Sequence, residues 1–400
     1  MAAARTIIVA GAGIGGLTAA LSLAAKGFRV IILEKAERLE EAGAGLQLSP
    51  NASRLLIDLG LRPRLASRAV MPEAISVMSA RAGGEIVRIP LGEAASQRAG
   101  APYWVIHRAD LQGALAAAVN EHPDIDLRLG CQFEDVTSHA KGLTVVQRRG
   151  DIRQQELAQA LVGADGIWSA VRNHLFPAMQ PQFSGLIAWR GTLDATTLPR
   201  EYTAPRVQLW MGPDAHLVAY PISAARQINV VAIVPGTWNR PGWSAPGDAN
   251  ELKNAFASQR WPATARMLIN AVDGWRRWAL FTLPEIGEWT GGAIALLGDA
   301  AHAMLPFAAQ GAGMAIEDAG VLAKCLSEAP GNTIADIPAA LKHYGRLRRG
   351  RVLRVQRTAR QQGRIYHLGG PLALARDLAI KAIGPERMLA RHNWIYDWRV

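Results

Sequence analysis

Three acidic residues each stand at the end of a short apolar run. Glu34 follows Val30–Leu33. Asp165 stands in Gly163-Ala164-Asp165-Gly166, and Asp299 follows Ala293–Leu297 in "GGAIALLGDAAHAMLPFAAQGAGMAIEDA". A carboxylate at such a strand end is an acceptor for ligand hydroxyls. Two glycine-rich segments, "GAGIGG" and "QGAG", lie where helices should begin. A helix N-terminus offers unpaired N–H groups and a positive dipole end to an anion. The ligand read from these types is therefore hydroxyl-rich and anionic. A separate pair, His216 and Tyr220 in "AHLVAYPI", is spaced i, i+4 and so shares one face of a strand. It offers an acid–base group with a hydrogen-bonding neighbour. Arg190 in "AWRGTL" either binds a substrate carboxylate or pairs structurally, and Gln310 is a candidate for touching substrate.

The elements that must position these groups follow from periodicity. "TIIVAGAGIGGLTAALSLAAKGFRVIILEKAE" reads strand, tight turn, helix, strand. Gly11, Gly13 and Gly16 form the G-x-G-x-x-G spacing of a dinucleotide turn, and Glu34, followed by Lys35, is placed for an unphosphorylated adenosine ribose. A nicotinamide dehydrogenase needs one such turn and one acid. The extra turns at Asp165 and Asp299 suit a larger dinucleotide with a ribityl chain. A helix capped near Asp110 follows "VIHR", with Arg108 at the turn; a loop from Gly43 feeds a helix starting at Pro50-Asn51. Between Phe183 and Thr282, alternation in "PRVQLWMG", "HLVAYPI" and "INVVAIV" predicts a β-rich unit, and residues 74–100 share its character. From Thr333 the chain reads as helical and closes on "HNWIYDWRV", placed to cover the active site or a dimer surface.

Four motifs in order, "GAGIGG" (Gly11–Gly16), "HRADL" (His107–Leu111), "GADGIWSAVR" (Gly163–Arg172) and "GDAAHAMLPFAAQGAGMAIEDA" (Gly298–Ala319), resemble the class A flavoprotein monooxygenases, in particular the salicylate hydroxylase-like aromatic hydroxylases. The resemblance covers nearly the whole chain. It implies an α/β fold: a Rossmann-type FAD-binding domain of the p-hydroxybenzoate hydroxylase kind, a β-rich substrate domain and a helical C-terminal segment. The expected ranges are 1–73, 101–178 and 283–332 for the first, 74–100 and 179–282 for the second, and 333–400 for the third. It implies FAD as cofactor, with NADH or NADPH as a transient co-substrate and O2 as oxidant. Reduced flavin would capture O2 as a C4a-hydroperoxide whose distal oxygen attacks an electron-rich ring. By the same resemblance Glu34 binds the adenosine ribose, and Arg108 lies near the pyrophosphate or ribityl chain. Asp165 sits near both FAD and nicotinamide. Asp299 accepts from ribityl hydroxyls, and Pro306 fixes a loop over the flavin. The helix opened by Gln310, Gly311, Ala312 and Gly313 faces the pyrimidine edge. His216 is expected as base or phenol acceptor and Tyr220 as its partner; for His302 a packing role is preferred.

Composition bounds the alternatives. The chain has 400 residues, half of them apolar and 19% charged, with a formal charge of +11. That balance admits acidic small molecules, nucleic acid or anionic surfaces. The basic run "RLRRGRVLRVQRTARQQGR" lacks the interleaved aromatics of a single-strand groove and reads as a solvated helix face. Cys131 and Cys325 form no metal or redox pattern, so a reducing, cytoplasmic setting is expected. No apolar span is long enough to cross a membrane. The expected partner is a small phenolic aromatic acid of the salicylate or hydroxybenzoate type, taken by a monomer or homodimer, with no metal and no nucleic acid. Larger polycyclic, N-heterocyclic or quinone-precursor substrates stay open. "GWRRWALFTLP" spaces its tryptophans wrongly for a flavin halogenase.

Overall fold

The computed structural model describes residues 5–39, 44–238, 242, 244–257, 260–285, 287–329 and 334–400. Gly43 and Thr333, from which a loop and the helical tail were expected to run, lie outside the described residues. The apolar run Thr6–Ala10 is the centre of a six-stranded sheet. It pairs in parallel with Arg29–Glu34 on one side and Ala160–Gly163 on the other. Ile294–Leu296 and Ile125–Leu129 extend the parallel order, and the short antiparallel strand Thr290–Gly291 closes one edge. Ile7, Val9, Val30 and Ile32 face the helices Ile14–Ala24, Arg108–Glu121 and Gly311–Ser327. The alternate residues Ile8, Ala10, Ile31 and Leu33 pack on a three-stranded sheet carrying Phe133, Val136 and Val145. A sheet covered on both faces explains the unbroken apolar runs, each buried side chain contributing about 1.5–3 kcal/mol.

A second sheet of eight strands holds the alternating segments. In spatial order these are Ser244–Gly247, Trp275–Thr282, Gln182–Asp194, Gln227–Pro235, Ala215–Ile222, Arg206–Gly212, Ala74–Ser79 and Glu85–Pro90. One face, with Trp189, Trp210, Leu217 and Val230, is roofed by the helices Ala249–Ala255 and Ala263–Ala271. The other face is turned toward the first sheet and the C-terminal helices.

The C-terminal part is a 30-residue helix, Ile337–Tyr366, followed by the helices Gly370–Ile383, Pro385–Ala390 and Asn393–Tyr396. Its arginines correct one expectation. Arg348 is 1% exposed and donates to Glu317 and Asp318 at 2.7 Å each, and Arg351 clasps Glu317. The helix buries Leu341, Tyr344, Val352, Val355 and Ala359, and Arg348 falls on that same stripe. The basic run is thus a solvated face only in part. Trp394 and Trp398 lie over Arg351, so the closing aromatic segment covers this buried ion cluster. No helix among the described residues is long and apolar enough to cross a membrane.

Candidate functional site

The glycine turn leaves a cradle. Gly11 donates to Leu33 O at 2.7 Å, and a Cβ on Gly16 would lie 1.9 Å from the Gly11 carbonyl oxygen, so Gly16 lets the helix start against the turn. A Cβ on Gly13 would meet no atom within 4 Å; this glycine faces open space. The helix Ile14–Ala24 is capped by Gly13, which with Gly11, Glu34, Lys35, Asp165 and Trp168 lines a cleft of about 260 Å³. The Glu34 carboxylate accepts from Ala12 N at 2.8 Å and Ala36 N at 2.9 Å. Both oxygens are therefore held in place, each with a lone pair left for a hydroxyl. Lys35 is exposed at the rim.

Asp165 does two things. Its Oδ2 accepts from Ala170 N and Val171 N and caps the helix Ala170–Leu175, while its buried Oδ1 has no partner among the described residues. Burial pushes this carboxyl up, against the opposing hydrogen bonds. Asp299 opens the helix Asp299–His302 after Gly298, whose φ of 61° and ψ of −139° no other residue adopts readily. The Asp299 carboxylate makes no hydrogen bond among the described residues. It is solvent-accessible yet ringed by protein, and burial raises its pKa despite His302 and Arg108. Arg108 is half-buried beside it; burial lowers that guanidinium and Asp299 opposes the shift. The helix bearing Arg108 begins one turn earlier than Asp110. His107 is its cap, accepting from Ala109 N at 3.3 Å, because an imidazole Nδ1 reaches the same orphan donor as an aspartate.

Pro306 starts a single 3-10 turn, Pro306–Ala308, and Ala309 turns the chain through a left-handed φ of 52°. The helix Gly311–Ser327 then begins. The N–H groups of Gly311, Ala312 and Gly313 have no acceptor among the described residues. Gln310 is buried, with its Nε2 donating to Ser49 Oγ at 2.8 Å and its Oε1 accepting from Asn51 at 3.2 Å. Both ends of this amide are engaged with protein, so the geometry favours Gln310 as a brace for the loop over a direct substrate contact. Asn51 also donates to Glu317 at 2.6 Å, which joins the loop to the Arg348 cluster. His302 belongs to the same cluster, its Nε2 lying 2.5 Å from Asp318 Oδ2, as the packing role requires. Burial alone would raise the Asp318 carboxyl; His302 and Arg348 outweigh it and hold it down to about 2.

On the second sheet, register places His216 opposite Ile233, Tyr220 opposite Asn229, and Arg190 opposite Val231. Directly paired residues share a face, so His216, Tyr220 and Arg190 look the same way. His216 is 2% exposed; its Nε2 has no partner among the described residues and its Nδ1 meets His367 Nε2 at 2.8 Å. Burial holds His216 well below the ordinary imidazole range, and His367 adds to the shift. Tyr220 is buried near Arg190, and burial raises its phenol strongly. The Arg190 guanidinium lies 5.4 Å from the Trp278 ring, its Nε is buried without a partner, and no carboxylate pairs with it among the described residues. The structural contact of Arg190 among the described residues is therefore with the Trp278 ring and not with a carboxylate.

A family model described as FAD binding domain matches residues 4–359. The chain belongs to that family. It is 38% identical over 392 residues to a 3-amino-4-hydroxybenzoate 2-monooxygenase of Streptomyces platensis, covering 98% of this chain and 95% of that protein. It is 36% identical to a 3-hydroxybenzoate 6-hydroxylase of Polaromonas naphthalenivorans, covering 98% and 96%. A solved salicylate hydroxylase substrate complex superposes with a TM-score of 0.83 at 27% identity, covering 100% of this chain and 97% of the other. The protein is a FAD-dependent flavoprotein monooxygenase of the aromatic hydroxylase class, with reduced nicotinamide and O2 as co-substrates. The residues present fit the cofactor. Among the described residues, the N–H groups opening the helix Gly311–Ser327, the unpartnered Asp299 carboxylate and the buried Asp165 Oδ1 are donors and acceptors of the kind that phosphates and hydroxyls require, and Gly13 leaves room for a close approach.

Several participants carried no assigned role in the sequence reading. Arg172 is fully buried and donates to Ile167 O, Met179 O and Ala300 O, so it clamps the Asp165 loop to the Asp299 helix. Its place inside "GADGIWSAVR" was the available signal. Trp168, 45% exposed at the cleft, stacks edge-on with Phe281. Tyr103, Tyr366 and Tyr396 line the region next to Tyr220; they are scattered in sequence and only the fold joins them.

Proposed function

We propose that this monooxygenase hydroxylates a phenolic aromatic acid of the hydroxybenzoate type. The observation that carries this reading is Arg190, without a carboxylate partner among the described residues, on the same sheet face as His216 and Tyr220. Arg190 is half-buried with its Nε fully buried and unpartnered, and a substrate carboxylate would satisfy it with a charge-assisted bond. His216, neutral near neutral pH, accepts the phenol proton at Nε2. Tyr220, whose phenol stays protonated, donates to the ring oxygen. A phenolate ring is richer in electrons and the better nucleophile. Bound FAD supplies hydride acceptance and oxygen transfer; the protein orients the ring, excludes water and moves the proton. Gln310 acts here as a positioning residue for the loop Pro306–Gln310. Two full-length relatives whose names specify hydroxybenzoates support the class of acid. A 6-hydroxynicotinate 3-monooxygenase of Bordetella bronchiseptica, 32% identical over 88% of this chain, supports testing N-heterocyclic hydroxy acids beside them. We place the enzyme in the cytoplasm as a monomer or homodimer without a nucleic-acid partner, since its most buried C-terminal arginines serve internal carboxylates.

The test is substrate-stimulated oxidation of NADH and of NADPH by the FAD-loaded protein. The panel holds salicylate, 3-hydroxybenzoate, 3-amino-4-hydroxybenzoate, 6-hydroxynicotinate and a bicyclic phenol, with products identified by mass spectrometry. Stimulation by one of the acids with an oxygenated product is expected. Stimulation by the bicyclic phenol alone would overturn the reading.

A further inference from the structure

We propose that His367 is a positioning residue for His216 that carries the phenol proton from the buried site to solvent. The inference rests on the reading of His216 as the base. The geometry is specific. His216 Nδ1 and His367 Nε2 lie 2.8 Å apart, with ring centroids at 5.1 Å. His216 is 2% exposed, whereas His367 is half-buried at the end of the helix Ile337–Tyr366. A nearly buried imidazole that turns its Nε2 to the substrate has little surface of its own through which to release an acquired proton. The half-buried second imidazole, in contact with His216 Nδ1, supplies that route.

His367 is held from several directions. Asp214 N donates to its carbonyl at 3.1 Å. Arg376 donates to the carbonyls of Ile365 and Tyr366 at 3.2 and 3.0 Å, fixing the helix end from the following helix. Phe307, from the loop that opens with Pro306, packs edge-on against the His367 ring at 5.7 Å and tilted on His216 at 5.2 Å. The titratable and charged groups around the pair are Asp214 from the turn before His216, itself 3.9 Å from Arg260, Tyr366 from the long helix, and Arg376. Burial lowers both imidazoles, His367 against the opposing field of Asp214, so both are neutral near pH 7.

The proton balance is simple. With Nδ1–H on His216 donating to His367, His216 Nε2 is a free acceptor. The phenol O–H breaks and an Nε2–H bond forms. The Nδ1–H bond breaks and its proton passes to His367 Nε2. The proton on His367 Nδ1 leaves to water. One proton reaches solvent, the substrate remains as phenolate, and no electrons change hands.

The test uses the FAD holoenzyme with 3-hydroxybenzoate and 3-amino-4-hydroxybenzoate as probes, following phenolate absorbance by stopped flow. His367→Gln keeps a hydrogen bond to Nδ1 but cannot relay a proton; flavin content reports its fold. The expected result is full FAD content and phenolate formation slower on the order of 10-fold or more, restored by added imidazole buffer. Wild-type speed in His367→Gln would overturn the relay. So would a slowing that imidazole does not relieve, which marks a structural contact only. His216→Gln, run in parallel, separates the two claims. If it ionises the probes as fast as wild type, the base reading falls and the relay with it. If it fails while His367→Gln is normal, the relay alone falls. Absence of ionisation of both probes on the wild-type enzyme would overturn the phenol reading itself.

Discussion

A Cβ on Gly16 would lie 1.9 Å from the carbonyl oxygen of Gly11, while one on Gly13, between them, would touch nothing within 4 Å. The two glycines therefore serve different states of the protein. Gly16→Ala forces the turn or the helix start to move, so the apoprotein itself should lose stability, by about 1–3 kcal/mol as overpacking does. Gly13→Ala should leave apoprotein melting within error of wild type and still abolish tight FAD binding, because its methyl occupies the space of the pyrophosphate. Thermal melts of both apoproteins and FAD titration by fluorescence check the pair. Equal destabilisation of the two apoproteins would contradict it.

Asp299 is the one strand-end acid whose carboxylate has no protein hydrogen bond among the described residues. Glu34 and Asp165 each hold backbone N–H groups. Their loss would disturb the fold as well as the ligand. Asp299→Ala should cost FAD affinity alone, about 1.5–3 kcal/mol, or roughly 10- to 100-fold in Kd, the range for a hydrogen bond to a charged group. Titration of apoprotein with FAD measures it. An unchanged Kd would remove Asp299 from the ribityl site.

The cofactor half was legible because its signals are local. A turn, a helix start and a terminal acid lie within about thirty residues of each other in the first unit, and the physics of each is short-range. The alternation of the second sheet was legible for the same reason. Partners brought together by tertiary packing were not. His216 meets His367 across 151 positions, and Arg348 meets Asp318 across 30. Charge count read the arginine run as solvated. Its spacing held the correction, since Arg348 stands on the stripe of Leu341, Tyr344, Val352 and Val355.

That arginine makes a stability prediction with a pH sign. Arg348→Met leaves Glu317 with Arg351 and Asp318 with His302, each short of one buried partner. Removing one member of a buried ion cluster costs about 3–5 kcal/mol. Asp318 ionises at about 2, below its ordinary 3.8. The unfolded chain therefore takes up this proton first on acidification. The stabilisation is complete above the unfolded value and fades as pH falls toward the folded one. Urea melts of wild type should weaken across that window, and the variant should show less of the dependence. A variant as stable as wild type at pH 7 would contradict the buried cluster's role.

On the proposed reading, Arg190 sets the charge preference of the site. Its Nε is buried and unpartnered among the described residues and its guanidinium rests near Trp278, so a planar fork is left available for a carboxylate. Arg190→Met removes the cation while keeping apolar bulk against Trp278. For a hydroxybenzoate substrate kcat/KM should fall about 10- to 100-fold, matching roughly 1.5–3 kcal/mol of charge-assisted hydrogen bonding. For the matching hydroxybenzamide, which carries no charge, the change should be much smaller. Arg190→Lys should recover only part of the loss, because an ammonium cannot make the bidentate contact. Steady-state kinetics with both compounds decide it. An equal loss on acid and amide would mean that Arg190 supports the sheet and the pocket wall and does not read the carboxylate.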